Sequence, residues 1–386
     1  MFLIKPQAAV IPESGLHAPS VFSSHIPSGG FEHFTQRGLP SNRRVQSYRG
    51  IREEETALAM EDITRSCSSG LPVNLSELFS ATTNNVVSRI ALGRKYSEDT
   101  NKFKKLLSDF SELLGTSNVG DYLAWLAWVS HVNGFNDKAD KGAKAFDEFL
   151  DGVIEERINR RNKHVNYQND LVDILLEVQK ENTVGLPIDR TSIKALILDM
   201  FAAGTHTTYL ALEWKMTELL RHPKVMKEVK NEARKVSGGK SSISEDDLHN
   251  MHYLKAVIKE LSVYILHFRC CFQQYQQKTD PSSWEKPEEF LPDRFLNNSI
   301  DFKGQHFELI PFGSGRRICP GILFAMQISE LFLANLVHKF DWSLPGGSND
   351  KELDMTESVG ITSSKKSPRI ATTNQCSVYC ENVYAM

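Results

Sequence analysis

One stretch, residues 312–321, constrains this chain more than any other part of its sequence. It reads Phe-Gly-Ser-Gly-Arg-Arg-Ile-Cys-Pro-Gly, and apolar residues follow it at helical spacing from Leu323 to Val337. The glycines predict a turn and the apolar run predicts a buried helix, so Cys319 stands where a loop enters a helix. A thiol at a helix N-terminus faces unpaired backbone N–H groups and the positive end of the helix dipole. We therefore expect the thiolate, the form that binds metal, to be favoured.

The neighbours of Cys319 indicate the kind of ligand. Glycines such as Gly315 and Gly321 let the backbone approach a flat molecule closely. Arg317 and the arginine before it can pair with carboxylates on that molecule, and Phe312 can pack against its face or shield the sulfur. The ligand that fits this set is haem held by one cysteine thiolate. The alternative for a lone cysteine after a glycine turn is an ordinary buried side chain.

Five positions of the stretch, Phe312, Gly315, Arg317, Cys319 and Gly321, follow one spacing pattern. At roughly 5% per position, a chain of this length meets such a pattern by accident about once in ten thousand. The stretch resembles the cysteine motif of the cytochrome P450 family of haem-thiolate monooxygenases, in wording closest to its plant members. The resemblance implies that Cys319 is the axial iron ligand and that the other four residues bind the cofactor. It further implies O2 and a small apolar molecule as substrates, and electrons from NADPH through a separate reductase.

A proline-free segment from Thr191 to Leu220 predicts a helix long enough to cross the domain at about 1.5 Å per residue. Small residues in its middle, among them Ala203 and Gly204, would let a flat cofactor lie against the helix. Thr207 can bond the carbonyl four residues earlier or open a bulge that admits water. The alternative is a helix that merely tolerates a glycine.

Residues 201–208 of this segment, Phe-Ala-Ala-Gly-Thr-His-Thr-Thr, resemble the oxygen-binding groove of the same family. The resemblance implies that Thr207 helps to deliver protons during dioxygen activation. His206 stands where the family has an acidic residue. An imidazole titrates near neutral pH and can relay protons, but it removes a permanent negative charge. We therefore expect His206 and Thr207 to share the proton handling.

Two further segments resemble the family's buried Glu-Arg-Arg network. Residues 253–260 match the start of a Glu-x-x-Arg helix at Glu260, and residues 287–295 match the segment that supplies Arg294. The arginine expected at the third position after Glu260 is absent, because Val263 stands there. A buried ion network that lacks one member costs on the order of 3 to 5 kcal/mol. We therefore expect reduced stability and weaker haem retention.

The genetic code offers one explanation of the missing arginine. Residues 261–272 read Leu-Ser-Val-Tyr-Ile-Leu-His-Phe-Arg-Cys-Cys-Phe. Among the nucleotide sequences that can encode them is one that a single added base converts to Thr-Leu-Arg-Leu-His-Pro-Pro-Phe-Pro-Leu-Leu-Phe. That reading restores Glu-x-x-Arg after Glu260. We hypothesise a frameshift over residues 261–279, which a nucleotide sequence without this relation would refute.

Length and composition limit the classes of fold that this chain can adopt. The chain has 386 residues, 40% of them hydrophobic and 24% charged, so it can bury a large core. The predicted fold is mainly α with minor β and is cytochrome P450-like. We expect it to be incomplete at the N-terminus, because the family has a strand-rich portion and a haem-propionate helix before the matched part, and residues 1–40 show no such helix. We predict an irregular or disordered arm over residues 1–40, one haem-thiolate domain over 41–370 and a tail over 371–386.

Charge and cysteine content narrow the partners and the compartment. A net charge of -3 argues against a nucleic-acid partner, and six irregularly spaced cysteines indicate a reducing compartment. The sequence contains no apolar run of about 18 residues, so it predicts no transmembrane anchor in this chain. The resemblance implies the cytosolic face of the endoplasmic reticulum, whereas a chain without an anchor is expected in the cytoplasm.

Three hypotheses follow from the sequence. The chain is an active haem-thiolate monooxygenase, or it is a catalytically impaired or inactive relic of that family, or it is a helical interaction protein unrelated to haem. Three separate motif matches argue against the last.

Overall fold

The structure, a computed structural model, describes residues 41–95, 128–162, 170–181, 189–265, 284–286, 289–315, 318–344, 357–358, 364–365 and 370–375, with single residues at 106, 109, 113 and 125. The described chain divides into two compact units. One contains Val87–Thr205, and the other contains Asn42–Val86 together with the residues from His206 onward. The assignment of residues 41–370 to one domain stays a prediction.

Helices dominate both units, which confirms the mainly α prediction. In chain order they are α1 Asn42–Ser47, α2 Arg49–Ser68, α3 Leu75–Leu92, α4 Val129–Val132, α5 Phe135–Asn162, α6 Leu171–Glu181, α7 Arg190–Arg221, α8 Pro223–Ser237, α9 His252–Ile265 and α10 Ile322–Lys339. Short 3-10 helices cover Asp247–Asn250 and Pro292–Phe295. None of the helices in the described ranges is both long enough and apolar enough to span a bilayer.

The strands are few. They are β1 Val73–Asn74, β2 Phe340–Ser343, β3 Glu357–Ser358, β4 Ser364–Lys365 and β5 Ile370–Gln375. The order β1-β5-β2 forms one antiparallel sheet, with Val73 opposite Ala371 and Trp342 opposite Thr373. β3 and β4 pair antiparallel, with Glu357 opposite Lys365. Because β5 pairs on both sides, ordered structure continues past residue 370, where the tail was expected to begin.

The ends of α3 follow from local chemistry. Its N-terminus is capped by Asn74, whose Oδ1 accepts the Glu77 N–H at 3.2 Å. It ends at Gly93, which has a φ of 64°. A Cβ at Gly93 would lie 2.7 Å from Asp170 Oδ2, so only glycine fits there.

The Val87–Thr205 unit is held by buried and half-buried ion pairs between its helices. Arg157 on α5 pairs at 2.6 Å with Asp170 before α6, and both side chains are almost fully buried. Lys194 on α7 pairs with Asp147 and Asp151 of α5 at 2.6 and 2.7 Å. These pairs fix three helices that also bury apolar faces.

The second unit has a large apolar core. Side chains from α2, α7, α8, α9 and α10 and from the three-stranded sheet form a single cluster. Helix α10 lies at its centre, since its residues from Leu331 to Val337 are all buried. This burial anchors the helix that follows Cys319.

Candidate active site

The cysteine loop, residues 312–321, is closed by its own backbone. The Cys319 N–H donates to the Phe312 carbonyl at 2.9 Å, and the Ile318 N–H donates to the Gly315 carbonyl at 3.2 Å. Gly321 is the N-cap of α10, which begins at the next residue. The loop therefore places Cys319 before the first turn of a buried helix, as the sequence predicts.

Left-handed backbone explains two of the loop's glycines. Gly313 and Gly315 have φ values of 76° and 73°, and a Cβ built on either would meet no atom within 4 Å. Conformation, and not lack of space, therefore requires glycine there.

A third glycine, Gly304, was missed by the sequence analysis. A Cβ there would lie 2.9 Å from Ile318 Cδ1 and 3.1 Å from the Gly313 carbonyl, so Gly304 lets its own segment pack against the loop.

The protonation of Cys319 differs from the sequence expectation. Burial raises the pKa of its thiol above the ordinary value, and the Gly321 N–H, which donates to the sulfur, only partly opposes this. The expectation of a favoured thiolate is therefore wrong for the chain alone, because desolvation outweighs the helix N-terminus. The residue is nevertheless exposed. The thiol therefore lies in surroundings that disfavour its charged form, while the residue as a whole keeps exposed surface.

The donor set at Cys319 fits haem. In the part of the chain that the structure describes, no three histidine, cysteine or carboxylate side chains converge to hold a metal ion. A bare transition metal needs several protein ligands, whereas haem brings four ring nitrogens and needs one axial ligand from the protein. A lone accessible sulfur with a backbone N–H donor matches the second case. Arg317, the predicted partner of the haem carboxylates, lies outside the described residues.

The predicted groove residues follow one another on α7, whose bounds agree with the prediction to within one residue at each end. Ala203 is exposed although it lies in the middle of a 32-residue helix, and Gly204 beside it is half-buried. The backbone carbonyl of Phe201 accepts a hydrogen bond at 2.6 Å from Thr205, one of the threonines beside Thr207. An exposed alanine beside a glycine leaves room for a flat molecule to approach the helix closely at this point.

His206 is half-buried and packs edge-to-face on Tyr209, with ring centroids 5.0 Å apart. Burial lowers the pKa of the imidazole below its ordinary value of 6.5. The ring is therefore neutral at pH 7, with one nitrogen that donates and one that accepts. This is the form that a proton relay needs.

Glu260 and Arg294 meet as the sequence predicts. Arg294 Nε lies 3.0 Å from Glu260 Oε2, and Glu260 is almost fully buried. Glu260 Oε1 also accepts the Leu291 N–H at 2.9 Å. The guanidinium of Arg294 donates as well to the carbonyls of Glu285 and Glu289, each at 2.9 Å. Two members of the network are therefore in place.

Comparison with known protein families matches most of the chain. The family model described as Cytochrome P450 matches residues 33–261 and 269–370. The match is interrupted at residues 262–268, inside the segment for which we hypothesise a frameshift.

Individual relatives come from several plants. The chain is 51% identical to Cytochrome P450 736A117 of Prunus mume, over 86% of this chain and 69% of that protein. It is 48% identical to Cytochrome P450 71A4 of Solanum melongena, over 86% of this chain and 71% of that protein. It is 42% identical to a 3-beta-hydroxylase of Tanacetum parthenium, over 86% of this chain and 70% of that protein. The chain therefore belongs to the cytochrome P450 family, whose members are haem-dependent monooxygenases.

Proposed function

We propose that this chain inserts one oxygen atom of O2 into a small apolar substrate, with electrons from NADPH delivered by a separate reductase. The observation that carries the proposal is the cysteine loop. It presents one accessible sulfur, closes on itself through the Cys319–Phe312 hydrogen bond and leads into a buried helix. Such a loop draws its closing hydrogen bond from its own backbone.

In this proposal, each residue of the loop has one task. Cys319 would ligate the iron, and the Gly321 N–H would donate to its sulfur and limit its basicity. Phe312 is held by an edge-to-face contact with Phe302, with centroids 5.9 Å apart, and would shield the sulfur from water. When bound, the haem supplies the activation of O2 and the oxygen insertion. Arg317 would pair with the haem carboxylates.

Residues of α7 would also take part in the reaction. Ala203 and Gly204 leave space for O2 and substrate beside the helix. His206 would take up a proton from the outside and pass one to the Thr207 hydroxyl, which donates it where oxygen is reduced. The side chains that support this role are neutral at pH 7, so no charge has to be buried.

The relatives bear on the reaction and on the location. One of them is named a 3-beta-hydroxylase, which agrees with oxygen insertion. Plant members of the family are generally membrane-associated, and a shared reductase would place this chain at the cytosolic face of the endoplasmic reticulum. This location is part of the proposal.

A second candidate is an impaired relic of the family. It is favoured by the interruption of the family match at residues 262–268 and by Val263 at the position of the missing arginine. In that case the fold persists while turnover is low or lost.

Turnover decides between the two candidates. We would supply the expressed chain with haem, a plant reductase, NADPH and a panel of small apolar molecules under isotopically labelled O2. Labelled product that Cys319→Ala does not form supports the enzyme, whereas its absence across the panel supports the relic. His206→Asp restores the family's acid. It should change the amount of product formed per NADPH consumed by about two- to tenfold, with His206→Asn as the matched control.

A further inference from the structure

The turn between α4 and α5 contains the pair Asn133–Gly134, the only asparagine followed by glycine in the sequence. Asn133 is exposed, and its backbone N–H donates to the Val129 carbonyl at 2.9 Å. Its side-chain Oδ1 accepts the N–H of Phe135, the first residue of α5, at 3.0 Å. Asn133 therefore joins the end of one helix to the start of the next.

The glycine of the pair has a backbone nitrogen that no contact holds. Gly134 has a φ of 74°, in the left-handed region that favours glycine. A Cβ built on it would meet no atom within 4 Å, so the space beside this residue is open. Among the residues that the structure describes, none accepts a hydrogen bond from the Gly134 N–H. The peptide bond between Asn133 and Gly134 can therefore rotate without the loss of a hydrogen bond at this nitrogen.

The two residues carry an electrophile and a nucleophile. The Cγ atom of an asparagine amide can be attacked by the backbone nitrogen of the next residue, which closes a five-membered ring. The ψ of Asn133 is 1°, so the backbone has to rotate before these atoms can bond. Glycine resists such a rotation least, because it has no Cβ.

A structural role explains why both residues stand in this turn, but it does not protect them. Asn298 is better protected. Its Oδ1 also accepts the N–H two residues ahead, from Ile300 at 3.1 Å, but its Nδ2 donates to the Arg294 carbonyl as well, and Ser299 follows it. Within the described ranges, no such second bond holds the side-chain amide of Asn133.

We propose that Asn133 is a self-modification site, at which the Gly134 nitrogen displaces the side-chain amide nitrogen and an aspartate or isoaspartate results. The bond between Gly134 N and Asn133 Cγ forms as the Cγ–Nδ2 bond breaks. Nδ2 leaves as ammonia with the proton of the Gly134 N–H. Water then opens the cyclic imide: attack at Cγ gives aspartate, and attack at the main-chain carbonyl carbon of residue 133 gives isoaspartate. Water is the only co-reactant, and no electrons are exchanged with an oxidant or reductant.

The two products affect α5 in different ways. An aspartate keeps an oxygen for the Phe135 N–H and adds a negative charge at the N-terminus of a 28-residue helix, where the helix dipole favours it. An isoaspartate lengthens the main chain by one methylene group and displaces the turn. We therefore expect the aspartate product to keep the start of α5 and the isoaspartate product to fray it.

The test incubates the full chain, without haem, at neutral and at mildly alkaline pH and follows its proteolytic peptides by mass spectrometry. Exchange of the amide for a carboxyl group raises the mass of the peptide that contains Asn133 by about 1 Da. We expect Asn133 to convert at least about tenfold faster than Asn298 in the same sample, because glycine permits the rotation that serine restricts. The rate should increase with pH, since the attacking nitrogen loses its proton. A methyltransferase specific for isoaspartyl carboxyl groups, supplied with a labelled methyl donor, measures the isoaspartate fraction.

Two variants control for the amide and for the ring. Asn133→Ser keeps an oxygen that can accept the Phe135 N–H but has no amide, so it should gain neither mass nor methyl label at this position. Asn133→Gln keeps an amide but requires a six-membered ring, and it should convert about tenfold more slowly or less. Circular dichroism of both variants checks the fold.

Conversion of Asn133 no faster than that of Asn298 would overturn the proposal. Methyl label in Asn133→Ser equal to that of the parent chain would overturn it as well. The measurement involves neither haem nor turnover, so its result is independent of the proposed monooxygenase function.

Discussion

The cysteine loop and the Glu260 end of α9 are built in different ways. Backbone groups within ten residues of one another close the loop, as the Cys319–Phe312 hydrogen bond illustrates. The Glu260 site depends on side-chain charges that are far apart in the chain, since Arg294 reaches Glu260 from another segment. A locally closed site is insensitive to changes elsewhere, whereas a network of distant charges can lose one member and keep the others. The family match is continuous through the loop and interrupted just after Glu260.

Breaking the remaining ion pair should have the largest effect. Arg294→Met leaves the almost fully buried Glu260 carboxylate without its cation. We expect the free energy of unfolding in urea to fall by about 3 to 5 kcal/mol. Glu289→Gln is the matched control, because it breaks the exposed Lys286–Glu289 pair and should cost less than about 1 kcal/mol. A loss as small as that in Arg294→Met would contradict the network.

Restoring the missing arginine should sharpen the comparison. Val263 stands three positions after Glu260 in α9, where the family resemblance implies an arginine, so we expect Val263→Arg to offer a second guanidinium to the same carboxylate. We expect a gain of about 1 to 3 kcal/mol in the free energy of unfolding, the range for hydrogen bonds to charged groups.

Two further variants control for size and for charge. Val263→Met adds bulk without charge and should give no gain. Placing Val263→Arg in a Glu260→Gln background should abolish the gain. Equal stability of Val263→Arg and Val263→Met would mean that the site is complete without the arginine.

A smaller effect is expected on the helix that follows the loop. Lys215 is buried on α7 and donates to Ser329 on α10 at 3.0 Å. Burial lowers the pKa of its amine from 10.5 to about 8, against the attraction of Glu330. The unfolded chain therefore binds more protons between those two values, and stability should rise as the pH increases through that window.

Replacing the amine tests this account. Lys215→Met should stabilise the chain at pH 7 by about 2 kcal/mol, because a buried charge is replaced by an apolar side chain. It should also flatten the rise in stability between pH 8 and 10.5. Lys224→Met, at an exposed position of α8, is the matched control. A destabilised Lys215→Met would show that the amine contributes a net favourable bond.

Sequence reasoning succeeds where the cause is local. A proline-free run is sufficient to place α7, and a glycine turn followed by an apolar run is sufficient to place α10. The Asn74 cap and the Gly93 stop, which bound α3, are equally local. The cysteine loop belongs to the same class, because its hydrogen bonds join neighbours. The pairing of Glu260 with Arg294 was accessible only through the resemblance to a family.

Other features depend on contacts that the sequence does not display. Nothing in the local pattern indicates that Glu213 meets Ser76, that Lys215 is buried or that β5 is the middle strand of its sheet. The pKa of Cys319 fails as a prediction for the same reason, because the desolvation that raises it comes from the fold.

The most direct test of the cysteine loop is the absorption spectrum of the reduced, carbon-monoxide-bound chain after it has been supplied with haem. Cys319→Ala is recorded beside it, with Cys67→Ala as the control for loss of a cysteine outside the loop. We predict a thiolate-type Soret band that disappears in Cys319→Ala and persists in Cys67→Ala. No haem-dependent band, or a band that Cys319→Ala leaves unchanged, would contradict the claim that this loop holds the iron.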